Sequence, residues 1–190
     1  MTSSILAVIG PSGVGKSTLF APLRQEGRVR LIPTWTTRRP RHYEDPNDAD
    51  HVFVDDATFD AHARAGDFLE TVQLFGLEAR YGLPRAALDP FDGVRVLMLR
   101  AMLLQPLPRY FPSHRIYQVE APRARVEAHL RTRMARDGDI GSRLAGFDEE
   151  LQLGRRLAHR ILDNSGPIAQ VQAQLRAWLD QDFAREAPPA

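Results

Sequence analysis

The eight residues GPSGVGKS, 10–17, constrain this chain more than any other stretch. They follow a short continuous apolar run, ILAVI (5–9), and lead into STLFAPLR (17–24), whose apolar residues recur at helical spacing. Buried strand, glycine-rich turn, helix: this is the context in which G-x-x-x-x-G-K-S/T cradles phosphate. The glycines let consecutive backbone N–H groups curl around phosphate oxygens, and the helix start adds the positive end of its dipole. Gly10, Pro11, Ser12, Gly13, Val14, Gly15, Lys16, Ser17 and Thr18 are therefore expected to hold a nucleoside triphosphate. Lys16 would reach the β- and γ-phosphates, and the Ser17 hydroxyl would bind Mg²⁺. Lys16 is the only lysine in the chain. A compact ammonium has been kept where a planar guanidinium fork would serve less well.

Further buried strands are expected at VRLI (29–32), VRVLML (94–99) and RIYQV (115–119), separated by helical segments. Strands so spaced imply an α/β fold, a P-loop three-layer αβα arrangement around a parallel sheet. Between about 34 and 88 the texture changes, with Arg, Asp, Pro and aromatic residues crowded together. HVFV (51–54) and FLETVQLF (68–75) there suggest strands of a smaller lobe. PRARVEAHLRTRMARD (122–137) starts with a proline suited to a helix start, and helices are expected at about 146–158 and 167–184. One domain over 1–185 is expected: a core of about 1–33, 89–130 and 146–185, an acceptor lobe of about 34–88, a lid of about 131–145, and a flexible tail at 186–190.

The composition excludes several function classes. A chain of 190 residues, 43% of them hydrophobic, can bury a core without disulfides or metal. Zero cysteines rule out a thiolate metal site. A formal charge of +1 offers no whole-surface attraction to nucleic acid or anionic lipid. The apolar runs are far too short to span a bilayer, and MTSSILAVIG has no basic leader. The expectation is a cytoplasmic monomer or homodimer whose partners are small molecules, not nucleic acid or membrane.

A phosphate cradle specifies a nucleotide and leaves the reaction open. GTPases and many ATPases end a second buried strand with an acidic residue that helps hold Mg²⁺. VRVLML ends without one, which favours small kinases, where arginines do most of the neutralisation. Arg100 follows that strand, at the edge where open α/β sheets place ligands. Its alternative is a pairing with an internal carboxylate. Arg38 and Arg41 lie beside hydroxyl donors, and guanidinium forks bind phosphate in bidentate fashion. The acidic run DPNDAD (45–50) lacks the glycine and glutamate of a calcium loop and reads as a solvated turn. The six histidines show no metal-binding spacing.

Together these residues resemble the guanylate kinase family. The matches are Thr36, Thr37, Arg38, Arg41 and Glu44, then Phe53 and Val54, then Phe68, Leu69 and Glu70, then Tyr81 and Gly82. RTRMARDGDIGSRL (131–144) is similar to the family's mobile lid, with Arg133 and Arg143 near its two arginine positions. ILDNSG (161–166), with Asn164, resembles the segment beside adenine. The resemblance implies a nucleoside monophosphate kinase-like fold with ATP as donor and Mg²⁺ as cofactor. Lys16, Arg38, Arg41, Arg133 and Arg143 would neutralise the transferred group. Thr34, Arg38, Arg41 and Tyr81 would hold the acceptor phosphate, with His51 in place of the family's first tyrosine.

The departures concern the base. The family reads guanine with a glutamate, a hydroxyl after Tyr-Gly and an aspartate near the end of the next strand. Glu70 remains, Leu83 replaces the hydroxyl, and Arg100 stands about where the aspartate would be. A cation facing guanine's N–H donors repels them and leaves them unpaired. FGLEARYGLP (75–84), LRAML (99–103) and DNSG (163–166) look like the ribose 1,5-bisphosphate phosphokinases, a branch of the same fold serving phosphonate breakdown. Leu99 stands where that branch has serine. The branch implies an acceptor with two phosphates and no base. The rival expectations are an ordinary guanylate kinase, a kinase for another phosphorylated metabolite, and a noncatalytic guanylate kinase-like binding module. Such modules typically lose the P-loop lysine, which this chain keeps.

Overall fold

Strand β1 (Ile5–Ile9) has five apolar side chains, all buried, and therefore needs cover on both faces. In the computed structural model, which describes residues 5–40, 50–73, 79–133, 141, 144 and 146–183, it is the middle strand of a five-stranded sheet. The order is β2 (Val29–Leu31), β7 (Val94–Met98), β1, β8 (His114–Glu120), β9 (Arg160–Asp163), with every pairing parallel. The fold is α/β, as expected.

Side chains alternate across β1 with period two, and the core divides accordingly. Leu6 and Val8 join Leu19 and Phe20 of helix α1 (Lys16–Gln25), Val126 and Leu130 of α4 (Arg123–Arg133), and Val171, Leu175 and Leu179 of α6 (Ile168–Asp182). Ile5, Ala7 and Ile9 face the other way, toward Leu104, Phe111 and Leu107 of the short α3 (Leu107–Tyr110). Helix α5 (Phe147–Leu157) packs on β8, where Gly154 leaves room for the buried Gln118.

The expected strand at 94–99 contains a surprise. Arg95 is only 1% exposed, in the interior of β7. Its guanidinium donates to the carbonyls of Ala87 and Asp89 and lies 5.7 Å from the centre of the Phe111 ring. Burial lowers its pKa, and the carbonyls of Ala87 and Asp89 compensate part of the lost hydration.

A second sheet has four strands in the order β4 (His51–Phe53), β3 (Thr34–Thr36), β6 (Arg80–Pro84), β5 (Phe68–Gln73). β3 and β4 are parallel and the other pairs antiparallel. Helix α2 (Asp56–Ala65) follows β4 and opens on Asp55, whose carboxylate accepts from the Thr58 N–H at 2.8 Å. β3, β6, β9 and α2 were not legible as elements. β3 is three residues long and β9 four, too short for a periodic signal, and β6 carries a glycine and ends on a proline. Among the described residues, no helix is long and apolar enough to cross a membrane.

Candidate active site

The turn between β1 and α1 takes its shape from residues without a side chain. Gly10 has φ 137°, and a Cβ there would lie 2.4 Å from the Val119 carbonyl oxygen. Gly15, at φ 96°, caps α1, and a Cβ there would lie 2.5 Å from Asn164 Nδ2. Only glycine tolerates both the left-handed backbone and the close approach. No side chain caps α1, and no acidic residue lies in its first turn. Its leading N–H groups and positive dipole end thus face the loop, an arrangement suited to an anion.

Lys16 Nζ donates to the carbonyls of Gly10 at 2.6 Å and Pro11 at 3.2 Å. Burial lowers its pKa to about 8, while the charges of Glu150 and Asp50 push it back up and that of Arg100 pushes it down. These four charged groups share one neighbourhood. Ser17 Oγ donates to Asp50 Oδ2 at 2.5 Å and lies 3.8 Å from Met98 Sδ. Asn164, expected beside adenine, is buried against the loop: its Nδ2 donates to the Val14 carbonyl at 2.8 Å, and its Oδ1 has no partner among the described residues. Arg125 donates to the carbonyls of Asn164 and Ser165 at 2.8 and 2.9 Å, tying α4 to this segment.

The residues expected at the acceptor lie on the small sheet. Thr34 Oγ1 and His51 Nδ1 are 2.9 Å apart on neighbouring strands, and the His51 and Tyr81 ring centres are 6.3 Å apart. Arg38 follows β3 with its guanidinium 5.0 Å from the Phe53 ring centre, and its backbone N–H donates to Thr36 Oγ1 at 3.1 Å. Glu70 meets a side chain from the large sheet's side: the Tyr110 hydroxyl is 3.3 Å from Glu70 Oε2 and donates to the Leu69 carbonyl at 2.6 Å. Arg100 Nε and Nη2 donate to Glu150 Oε2 at 3.1 and 2.7 Å. The internal-carboxylate alternative is thus the arrangement seen, although two donors on one oxygen leave Arg100 44% exposed at its side chain. Arg41, Arg143 and the side chain of Arg133 lie outside the described residues.

Sequence reasoning missed Asp50, Tyr110 and Glu150. Asp50 belongs to the acidic run read as a solvated turn, and its neighbours gave no sign that one carboxylate would meet Ser17. Glu150 sits in an ordinary acidic first turn, and only its burial, with 4% of its side chain exposed, distinguishes it from Asp148.

No protein-family model matches the chain. It is 32% identical over 185 residues to the ribose 1,5-bisphosphate phosphokinase PhnN of Ruegeria sp. (strain TM1040), a match covering 95% of this chain and 93% of that protein. The chain belongs to the guanylate kinase-like P-loop kinases. The kinase is also 40% identical over 100 residues to the guanylate kinase of Leifsonia xyli subsp. xyli (strain CTCB07), which covers 50% of the chain and 37% of that protein. The crystal structure of guanylate kinase from Anaplasma phagocytophilum shares its fold, with a TM-score of 0.70 at 21% identity over 97% of this chain and 88% of that one.

Proposed function

We propose that this kinase transfers the γ-phosphoryl group of ATP to ribose 1,5-bisphosphate, giving 5-phosphoribosyl 1-diphosphate and ADP, a step of phosphonate breakdown. The observation that carries this reading is the match over nearly the full length of a protein bearing that name, where the Leifsonia guanylate kinase matches over half the chain. The site supports it. Leu83 packs against the core cluster of the second face and offers no hydroxyl, and the Tyr110 hydroxyl sits on Glu70. Arg100 gives two donors to Glu150, and its Nη1 is not engaged among the described residues, which leaves it for a second acceptor phosphate.

In the reaction, an oxygen of the acceptor's 1-phosphate forms the new bond to Pγ. The bond from Pγ to the β,γ-bridging oxygen breaks, and its electron pair leaves with ADP. No general base is needed when positioning and charge neutralisation dominate. Lys16 exchanges its contacts with the Gly10 and Pro11 carbonyls for phosphate oxygens, and the α1 start holds the β-phosphate. Thr34, Arg38, Arg41, His51 and Tyr81 hold the acceptor, and Arg133 and Arg143 close over the moving group. Ser17 Oγ, a hard oxygen whose proton Asp50 Oδ2 accepts in a hydrogen bond, would hold Mg²⁺, which would supply charge neutralisation on the phosphates.

The test is an acceptor panel of ribose 1,5-bisphosphate, ribose 5-phosphate, GMP and other nucleoside monophosphates, with ATP and purified protein. Ribose 1,5-bisphosphate gives the highest kcat/KM, and Arg100→Asp depresses that activity. GMP winning by a wide margin overturns the reading. The retained Glu70 and the matches to guanylate kinases over half the chain favour guanylate kinase activity as the second reading.

A further inference from the structure

P-loop proteins that bind Mg²⁺ through a serine or threonine commonly set an acidic side chain beside that hydroxyl, supplied by a neighbouring strand. Here the adjacent strand β7 ends at Met98, whose sulfur is 3.8 Å from Ser17 Oγ. A thioether is a poor partner for a hard cation. The carboxylate that reaches Ser17 arrives from the other sheet. Asp50, 33 residues along the chain and immediately before β4, accepts the Ser17 hydroxyl at 2.5 Å. Its backbone is held in place by its carbonyl, which accepts from the Thr34 N–H at 3.3 Å.

We propose that Asp50 is the carboxylate of the magnesium site, a positioning residue that acts through Ser17. Accepting the hydroxyl proton turns a Ser17 lone pair toward the cation. The carboxylate also places a negative charge beside it. Without a metal, that same charge repels the phosphates entering the loop. With one, it becomes part of the attraction. The influence of Asp50 on Lys16 agrees with a carboxylate close to the phosphate-binding ammonium. The proposal rests on the phosphate-loop assignment and is independent of the acceptor's identity.

The test uses the full chain, ADP and no acceptor. Calorimetric titration of ADP with and without Mg²⁺ yields a metal-dependent gain in affinity for the parent. Asp50→Asn keeps an oxygen for the Ser17 hydroxyl and removes the charge; it cuts that gain by about 10- to 100-fold, while metal-free ADP binds as well as in the parent or tighter. Electron paramagnetic resonance of Mn²⁺·ADP shows a matching change in the bound-metal spectrum. Ser17→Ala leaves Asp50 in place and loses the same gain, and the double variant loses little more than either single one. The full gain in D50N overturns the proposal. So does a D50N that weakens ADP equally with and without metal, the behaviour of a purely structural latch. Because no acceptor is present, failure here leaves the acceptor panel standing, and failure of the panel leaves this result standing.

Discussion

Helices α1 and α2 are both ten residues long, yet they begin in opposite ways. α2 satisfies its own start: Asp55 caps the Thr58 N–H, Asp56 adds negative charge in the first turn, and the left-handed Gly66 closes the far end. α1 closes its far end in a similar way, on the left-handed Gly27, but leaves its start unfilled. Gly15 stands at its cap, no carboxylate lies in its first turn, and Lys16 points back to the loop carbonyls. A helix start completed by its own side chains serves the fold. One left to backbone N–H groups and a buried cation is stable enough only because the sheet supports it, and it is open to an anion.

The sharpest way to break this contrast is Lys16→Ala. Turnover falls by about 10²–10³-fold or more with an unchanged thermal unfolding midpoint, and steady-state kinetics beside calorimetry measure both. A Gly10→Ala variant forces a Cβ against the Val119 carbonyl at a φ of 137°. It should lose about 1–3 kcal/mol of stability and most of its ADP affinity, as denaturant unfolding and ADP titration would show.

The pH dependence sharpens the electrostatic side. Burial depresses Lys16 to about 8, so the ammonium that attracts phosphate is present below that pH and is lost as pH rises through it. ADP affinity therefore falls on the alkaline side, by up to about tenfold per pH unit. Glu150 raises the Lys16 pKa, so Glu150→Gln moves this limb to lower pH. A limb that stays in place, or moves up, refutes the shared neighbourhood of the two groups. The smallest effect belongs to α2. Asp55→Ala removes a cap worth about 1 kcal/mol, lowering the unfolding midpoint and leaving metal-free ADP affinity unchanged.

The same contrast explains what could be read in advance. The P-loop and β1 were legible because strand, turn and helix start are adjacent in the chain, and each residue type has a local reason to be there. Four of the five strands of the large sheet followed from runs of buried apolar residues, with their parallel pairing, while β9 did not. Half of the small sheet was hidden: Thr34–Thr36 is a polar three-residue strand, and Arg80–Pro84 is held by its neighbours more than by its own pattern, while β4 and β5 were legible. Arg100 was legible as a cation at the carboxyl end of β7. Its partner was not, because Glu150 lies 50 residues further on.

By itself the sequence determined the phosphate loop, the parallel core and the family likeness, all of which depend on backbone conformation and burial within short segments. Tertiary structure alone decided that Asp50 meets Ser17, that Glu150 meets Arg100 and that Asn164 buttresses Val14, across separations of 33, 50 and 150 residues. No local pattern encodes such meetings. A side chain's charge and hydrogen bonding are settled by what the fold places beside it: the small sheet brings Asp50 to the phosphate loop, and the layers around the large sheet bring Glu150 and Asn164 to their partners.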